Sequence, residues 1–309
     1  MCKEFKKKLV EARGIKVDEK KNFYADSYQK NIYPGKMGEQ HIRMFCKGGG
    51  KELFPKDGEK EKAAAVHSSS MLSYNFFHWI DEKHPLILYG VRYTNVVFEE
   101  QFRVLSSRNN KANMDVVLFG ESQEGEKTFL LLESKFTEHL NPKNIKVDIA
   151  EAYDDPEGYF AYGKEWVHVI KSLRERMSKD EATYFEGLKQ VACHLMGISS
   201  VIENTKARAW FNKNSWLHDQ FGIPMDGDEK FIFRSIVFHP VTEGEEKQST
   251  DYEKKNREFV SAIGFLPPNV DVRNPIMTYR DLWINGMAES LEGNPGLKAY
   301  LERYLAAHV

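Results

Sequence analysis

The sequence predicts an α/β fold in which a mixed central sheet is flanked by helices. Two apolar runs, 116–119 and 128–132, enclose the polar, glycine-bracketed segment 120–127, a pattern typical of a β-hairpin. Helical spacing of apolar residues precedes and follows this hairpin, and a further apolar strand pattern covers 231–238. The order helix, strand, hairpin, helices, strand, helices favours one core with additions at both ends.

Composition limits the functional classes. The chain has 309 residues, of which 41% are hydrophobic and 29% charged, so a sizeable core is expected. The net charge of −2 lacks a strong basic excess, so contact with nucleic acid would depend on local basic patches. Three widely spaced cysteines without a CxxC pair predict neither a disulfide framework nor a zinc site. Without an apolar run of membrane-spanning length or a signal-peptide pattern, we expect no membrane partner and a cytoplasmic location.

The chain divides into three parts. Residues 1–66 are polar and glycine-marked, and their aromatic residues indicate an arm that packs on a core at 67–240. Residues 241–309 form a helical extension of the same domain. The first core helix is expected to begin near Ser68, because serines favour the N-cap position. Asn75 lies within the apolar stripe of this helix, and we expect it to face the surface rather than a buried polar contact.

The segment 95–105 predicts a strand with one conspicuous charge. Apolar residues occupy its even positions except for Glu100, whereas Glu99 falls on the polar face. A carboxylate on an apolar face costs free energy unless it is partnered or binds metal, so Glu100 is the preferred additional acid of a site. A register shift of one residue would give this role to Glu99.

Two helices are expected between the hairpin and the late strand. The first has an apolar stripe around Trp166. The second is expected over 183–197, with Gly197 as its C-cap. Gln190 and His194 are four residues apart in it and therefore share a face.

The triplet Glu133-Ser134-Lys135 carries the most information about function. It ends an apolar run, and Glu133 and Lys135 point the same way because alternate residues of a strand share a face. The hairpin brings Asp115 opposite the Glu133 end, on a strand about 4.8 Å away. Two carboxylates and a lysine at a sheet end can hold a divalent metal and a phosphodiester. The alternative is a surface ion pair at a strand end.

The segment 107–115, followed by 130–138, resembles the PD-(D/E)xK nuclease superfamily, which has the restriction-endonuclease-like fold. Asp115, Glu133 and Lys135 match its signature of an acid on one strand and acid-x-Lys on the next. The resemblance covers roughly residues 67–240. Members often carry a glutamine on the helix after the hairpin and an upstream glutamate. The resemblance implies that Gln190 supplies the glutamine, and that Glu100 or Glu99 supplies the glutamate.

The resemblance also implies a metal. Mg²⁺, or Mn²⁺ in its place, would be held by Asp115, Glu133 and the backbone carbonyl of Ser134. Ser134 stands where an apolar residue is common, but a carbonyl ligand does not depend on the side chain. Lys135 would orient the attacking water or stabilise developing negative charge, and Gln190 would hold that water or Lys135.

Basic residues near Asp115 are candidates for phosphate contacts. Arg108 and Lys111 precede it closely and could replace the counterions of a nucleic-acid strand. The alternative is that they are ordinary loop charges. For Gln190, the alternative is a polar position on a helix edge.

The expected function is metal-dependent hydrolysis of phosphodiester bonds, in DNA more than in RNA. Cutting both strands of a duplex needs two sites, so a homodimer is compatible with this function. The alternative from another class is a catalytically silent, nuclease-like module that binds nucleic acid or serves as a scaffold. Retention of Asp115, Glu133 and Lys135 together argues against the silent module, and the pI near 6.6 argues mildly for it.

Overall fold

A mixed sheet with helices on both sides forms the centre of the protein, as the sequence predicted. The computed structural model describes residues 3–48, 52–55, 59–140, 149–178, 185–239 and 243–306. Within these ranges the sheet has seven strands. They are β1 (Leu86–Leu88), β2 (Val91–Arg103), β3 (Lys111–Ser122), β4 (Lys127–Lys135), β5 (Lys230–Val237), β6 (Val270–Asp271) and β7 (Ile276–Thr278).

The helices of the described residues cluster before β1, between β4 and β5, and after β5. They are α1 (Lys3–Arg13), α2 (Glu39–Gly48), α3 (Ser69–Phe77), α4 (Gly163–Ser178), α5 (Phe185–Glu203), α6 (Thr205–Asn214), α7 (Trp216–Phe221), α8 (Glu243–Ser261), α9 (Tyr279–Leu282), α10 (Ala288–Ser290) and α11 (Pro295–Ala306). A π-helical turn, Trp283–Met287, joins α9 to α10. None of these helices is both long and apolar enough to cross a membrane.

The sheet combines antiparallel and parallel pairing. Strands β1 to β4 pair in chain order and antiparallel, and β5 lies parallel to β4 on the other side. Both β6 and β7 then pair parallel with β5, at different heights along it. A parallel neighbour requires a long crossover connection, which α4 to α7 supply between β4 and β5.

The predicted hairpin is formed by β3 and β4. Phe119 pairs with Phe129, and the strands extend past Gly120, which the sequence placed in the turn. Position 120 lies inside β3, and it is a glycine because β2 runs very close to it. A Cβ atom at Gly120 would lie 2.3 Å from the carbonyl oxygen of Arg92, too close for any other residue.

Helix α3 begins where the sequence predicted, and Ser68 caps it by accepting a hydrogen bond from the N–H of Met71. The expectation for Asn75 is wrong. Its side chain is fully buried and donates to the carbonyl of Asn31 and the hydroxyl of Tyr304 while accepting from the N–H of Tyr33. Asn75 therefore ties α3 to the N-terminal arm and to α11.

The second helix after the hairpin is longer than predicted. Positions 183 and 184 lie outside the described residues, and α5 continues six residues beyond Gly197 to Glu203. Gly197 is not a C-cap. A Cβ atom there would lie 2.6 Å from the Cβ of Phe102, so the glycine allows α5 to pack closely on β2.

The N-terminal arm is helical and packs against the C-terminal part of the chain. Helix α1 lies against α11, and Arg13 at the end of α1 donates to the hydroxyl of Tyr300 over 2.7 Å. Its other terminal nitrogen donates to Asn31 Oδ1, also over 2.7 Å. The boundary expected at residue 240 lies outside the described residues.

Candidate functional site

The end of β4 carries a buried ion pair. Glu133 and Lys135 expose only 2% and 5% of their surface, and the Lys135 ammonium donates to Glu133 Oε1. The same ammonium donates to Gln190 Oε1 of α5 over 2.7 Å. Glu133 and Lys135 share a face because they are two residues apart in a strand. The intervening Ser134 points to the opposite face, where its hydroxyl lies 2.8 Å from that of Tyr279.

His194 completes the surroundings of Glu133. Its Nε2 lies 2.8 Å from Glu133 Oε2, so both oxygens of this carboxylate have partners. His194 is 3% exposed, and its Nδ1 has no hydrogen-bond partner within the part of the chain that the structure describes. The sequence placed Gln190 and His194 on one face of a helix, but only Gln190 was assigned to the site. The four-residue spacing was the available signal for His194.

Asp115 lies across the hairpin from this ion pair. The last paired residues of β3 and β4 are Val116 and Leu132, so the next step places Asp115 at the level of Glu133. Asp115 Oδ2 accepts a hydrogen bond of 2.7 Å from the N–H of Ser134. Asp115 is half-buried. The structure thus brings Asp115, Glu133 and Lys135 together, as the hairpin argument anticipated.

The additional acid of the cluster is Glu99, and the preference for Glu100 is corrected. Glu100 Oε2 accepts hydrogen bonds from the Ser215 hydroxyl (3.0 Å) and the Trp216 N–H (2.9 Å) at the start of α7. Glu100 is therefore occupied as a helix cap. Glu99 instead is buried close enough to Glu133 and Asp115 for their charges to act on each other.

A break in the alternation of side-chain directions along β2 explains why Glu99, and not Glu100, belongs to the cluster. Phe98 stacks on Phe45 of α2, with ring centroids 5.5 Å apart, whereas Phe102 packs on Phe211 of α6 at 4.9 Å. The sequence pattern had placed Phe98 and Phe102 on one face. Between them Glu99 adopts a φ of 53°, in the left-handed region that residues other than glycine rarely occupy. This local turn of the chain ends the two-residue period on which the choice of Glu100 rested.

The electrostatics of the cluster show crowded negative charge. Burial, together with the charges of Glu52 and Glu133, raises the pKa of Glu99 to about 8. Burial, then Glu133 and Glu99, raises the pKa of Asp115 well above its usual range. Burial opposes ionisation of Glu133 as well, but Lys135 and His194 outweigh it and lower the pKa of Glu133 to about 2. Lys135 and His194 thus form ion pairs with Glu133, whereas none of the ion pairs among the described residues involves Asp115 or Glu99.

The side chains of the cluster supply only part of the ligand set of a magnesium ion. Among the described residues, no three His, Cys, Asp or Glu side chains form a group that could hold a metal ion. Mg²⁺, however, is commonly bound through one or two carboxylates and keeps several waters. Asp115, Glu133 and the Ser134 carbonyl meet this smaller requirement, since a carboxylate has about four acceptor sites and Glu133 can keep its present partners. Because the pKa values of Asp115 and Glu99 are raised, a cation that binds there would displace protons from these carboxyl groups.

The predicted phosphate contacts do not lie in this cluster. Lys111 donates to Gln101 Oε1 over 3.0 Å, and its ammonium lies 5.4 Å from the ring centroid of Trp210. Arg108 is exposed, and its carbonyl accepts a hydrogen bond from Arg103. Lys111 is the first residue of β3, and Arg108 precedes that strand.

A cavity of about 470 Å³ opens beside the site. It is lined by Thr137 and Glu138, which follow β4, and by Ser69, whose carbonyl accepts from the Ser134 hydroxyl over 3.4 Å. Glu52 of the N-terminal arm also lines it and raises the pKa of Glu99. Asp115, Glu133 and Glu99 are not among the residues that line this cavity.

Comparisons of the chain with protein-family models, with curated proteins and with solved structures found no match. Any functional conclusion must accordingly rest on the cluster itself. The relevant facts are its residue types, its position at one end of the sheet and its excess of buried carboxylates.

Proposed function

We propose that this protein is a metal-dependent nuclease that hydrolyses phosphodiester bonds, with DNA rather than RNA as its expected substrate. The observation that carries the proposal is the meeting of Asp115, Glu133 and Lys135 at one end of the sheet. Two carboxylates and an ammonium group in this order supply what phosphodiester hydrolysis needs: a cation site and a positive group beside it.

The cation would be held by Asp115, Glu133 and the carbonyl of Ser134, with Mn²⁺ able to replace Mg²⁺. When bound, it neutralises charge on the phosphate and lowers the pKa of a coordinated water. The chain's own residues keep these ligands in place. The Ser134 N–H orients Asp115, and His194 with Lys135 fixes both oxygens of Glu133.

Lys135 is the residue proposed to contact the reacting phosphate or the attacking water. Its ammonium is held between Glu133 and Gln190, and Glu133 outweighs burial to raise the pKa of Lys135. Lys135 therefore stays protonated and serves as a donor, not as a base. Gln190 restricts the orientation of the ammonium, which preserves its position as charge develops on the phosphate.

We further propose that the core has the restriction-endonuclease-like fold. A helix, α3, precedes the strand β2 and the hairpin β3–β4, and the helix α5 and the strand β5 follow. This order and the mixed sheet support the proposal, and the acid-x-Lys triplet lies at the end of β4, where the resemblance requires it.

A silent nuclease-like module that binds nucleic acid or a protein is the second candidate. The observation that favours it is the closed ion pair, since both oxygens of Glu133 have protein partners and Glu133 and Lys135 are almost inaccessible. A catalytic site would have to admit the phosphate against this pairing. Nucleic-acid affinity without cleavage is the result that would favour this candidate.

The experiment is a cleavage assay with supercoiled plasmid and 5′-labelled single-stranded DNA in Mg²⁺, Mn²⁺ or EDTA. We expect cleavage with either metal, none in EDTA, and none for Lys135→Ala. Lys83→Ala is the matched control, because Asp81-x-Lys83 is also an acid-x-Lys triplet but lies in an exposed turn. Equal cleavage by wild type and Lys135→Ala would indicate a contaminant and refute the proposal.

A further inference from the structure

A second group of side chains lies beyond the candidate site, at the same end of the sheet. The pairs Gln101–Asn113 and Arg103–Lys111 continue the β2–β3 ladder from Asp115 towards the strand ends. Four residues of a strand span about 13 Å, so Lys111 lies about that far from Asp115 along β3. Both groups are thus within reach of one extended ligand.

The first residues of β3 form an open row between the two groups. Lys111 is exposed and Asn113 and Asp115 are half-buried, whereas the intervening Ala112 and Met114 are buried. The Lys111 ammonium donates to Gln101 Oε1, and the Gln101 amide donates to Asn113 Oδ1, so Lys111 and Asn113 meet through Gln101. A ligand lying on this row would extend from the acids at one end to the lysine at the other.

Aromatic rings and cations are interleaved at the far end of the row. The Arg103 guanidinium lies 5.2 Å from the ring centroid of Phe160 and 5.8 Å from that of Trp210. The Lys111 ammonium lies 5.4 Å from the Trp210 centroid. Phe160 and Trp210 are both half-buried, so part of each ring remains accessible. We call Arg103, Arg108, Lys111, Phe160 and Trp210 the basic–aromatic patch.

The cations of this patch have no acidic partner in the described part of the chain. None of the ion pairs found there involves Arg103, Arg108 or Lys111. Arg103 donates to the carbonyls of Ser106 and Arg108, which fixes the loop between β2 and β3. The positive charges of Arg103, Arg108 and Lys111 are therefore not held in ion pairs with described carboxylates and can attract an anionic polymer.

We propose that the basic–aromatic patch binds a single-stranded segment of nucleic acid that continues into the candidate site. Cations beside partly accessible aromatic rings are the combination that holds a strand by its phosphates and its bases. The base faces of a duplex are stacked on each other and cannot lie on Trp210 or Phe160, so a single strand is the fitting partner. This inference rests on the proposed function and names the form of the substrate.

Binding is tested without catalysis, by fluorescence anisotropy of 5′-fluorescein-labelled (dT)12 in EDTA. The Lys111→Gln variant should bind about fivefold more weakly at 0.1 M salt, and its plot of log affinity against log salt should flatten by about 0.7, the value for one lost phosphate contact. Lys127→Gln is the matched control, since Lys127 is an exposed first residue of the neighbouring strand at the opposite sheet end. It should bind as the wild type does.

Trp210→Leu tests the stacking contribution. Its affinity for (dT)12 should fall about fivefold or more while the salt dependence is retained, and the quenching of tryptophan fluorescence on binding should shrink. Circular dichroism melting shows whether Trp210→Leu is folded. If it is not, the Lys111→Gln variant alone tests the inference. Equal effects of Lys111→Gln and Lys127→Gln, or tighter binding of a 12-base-pair duplex than of (dT)12, would overturn the inference.

The two proposals fail in distinguishable ways. Binding that depends on Lys111, without cleavage under any condition, would leave the patch assigned and refute the nuclease. Cleavage that depends on Lys135, with (dT)12 binding unaffected by Lys111→Gln and Trp210→Leu, would support the nuclease and remove the patch from its substrate path.

Discussion

His194 Nε2 lies 2.8 Å from Glu133 Oε2. The other oxygen of Glu133 receives the Lys135 ammonium, so the carboxylate is held from two sides by two different elements, α5 and β4. Such a carboxylate cannot rotate without breaking a buried contact. His194 is therefore a positioning residue, acting on the site through Glu133.

His194→Ala should lower the rate of DNA cleavage about 10- to 100-fold, the usual cost of removing a group that orients a ligand. The Mn²⁺ affinity should fall as well, which isothermal titration calorimetry can measure without turnover. His194→Gln, whose side-chain amide can also donate a hydrogen bond, should recover part of the cleavage rate and part of the Mn²⁺ affinity. His84→Ala is the control, because His84 is exposed and pairs with the neighbouring, equally exposed Asp81. Unchanged cleavage and Mn²⁺ affinity in His194→Ala would contradict the positioning role.

Glu100 and Glu99 should respond to mutation in opposite ways. Glu100→Ala removes the acceptor for Ser215 and Trp216 at the start of α7, and we expect a loss of about 1–3 kcal/mol in the free energy of unfolding. The folded fraction should still cleave DNA. Glu99→Gln should retain stability and lose cleavage, since its carboxylate belongs to the acidic cluster. Urea unfolding measures the stability of each variant, and the cleavage assay measures its activity. Loss of cleavage in folded Glu100→Ala, with cleavage retained in Glu99→Gln, would return Glu100 to the site.

The coarse fold could be predicted because its signals are local. The apolar runs of β3 and β4, the serine cap of α3 and the helical period of α5 each follow from neighbouring residues. The errors arose where a distant partner decides the conformation. Gly197 resembles a helix end in sequence, but it is needed because Phe102 packs against it. Asn75 resembles a surface residue, but Tyr33, Asn31 and Tyr304 surround it.

The meeting of the site residues could be anticipated for the same reason. Asp115, Glu133 and Lys135 are placed by a hairpin and a two-residue period, both readable from the sequence. Glu99 could not be chosen over Glu100, because a single residue with a φ of 53° shifts the alternation of β2. No composition rule predicts such a conformation at a glutamate.

His41 should make stability depend on pH. Its ring lies between Tyr74 and Phe98, at centroid distances of 5.4 and 5.5 Å, and burial, assisted by His78, lowers the pKa of His41 from 6.5 to about 4. His41 therefore binds a proton near pH 6.5 in the unfolded chain but only near pH 4 in the folded chain. Stability present above pH 6.5 should be lost progressively as the pH falls towards 4.

The measurement is the free energy of urea unfolding between pH 4 and 8. His41→Gln should show a shallower loss on acidification than the wild type, whatever its absolute stability. His168→Gln, at an exposed position of α4, should retain the wild-type slope. Parallel curves for wild type and His41→Gln would show that His41 is not held neutral.

The most direct test of the account is an isothermal titration with Mn²⁺ in the absence of nucleic acid. If Asp115 and Glu133 share a cation, the wild type should bind Mn²⁺, and Asp115→Asn should bind it at least tenfold more weakly, about 1.4 kcal/mol. Asp81→Asn, in the exposed acid-x-Lys triplet, should match the wild type. Equal Mn²⁺ affinity in wild type and Asp115→Asn would contradict the claim that these carboxylates form a cation site.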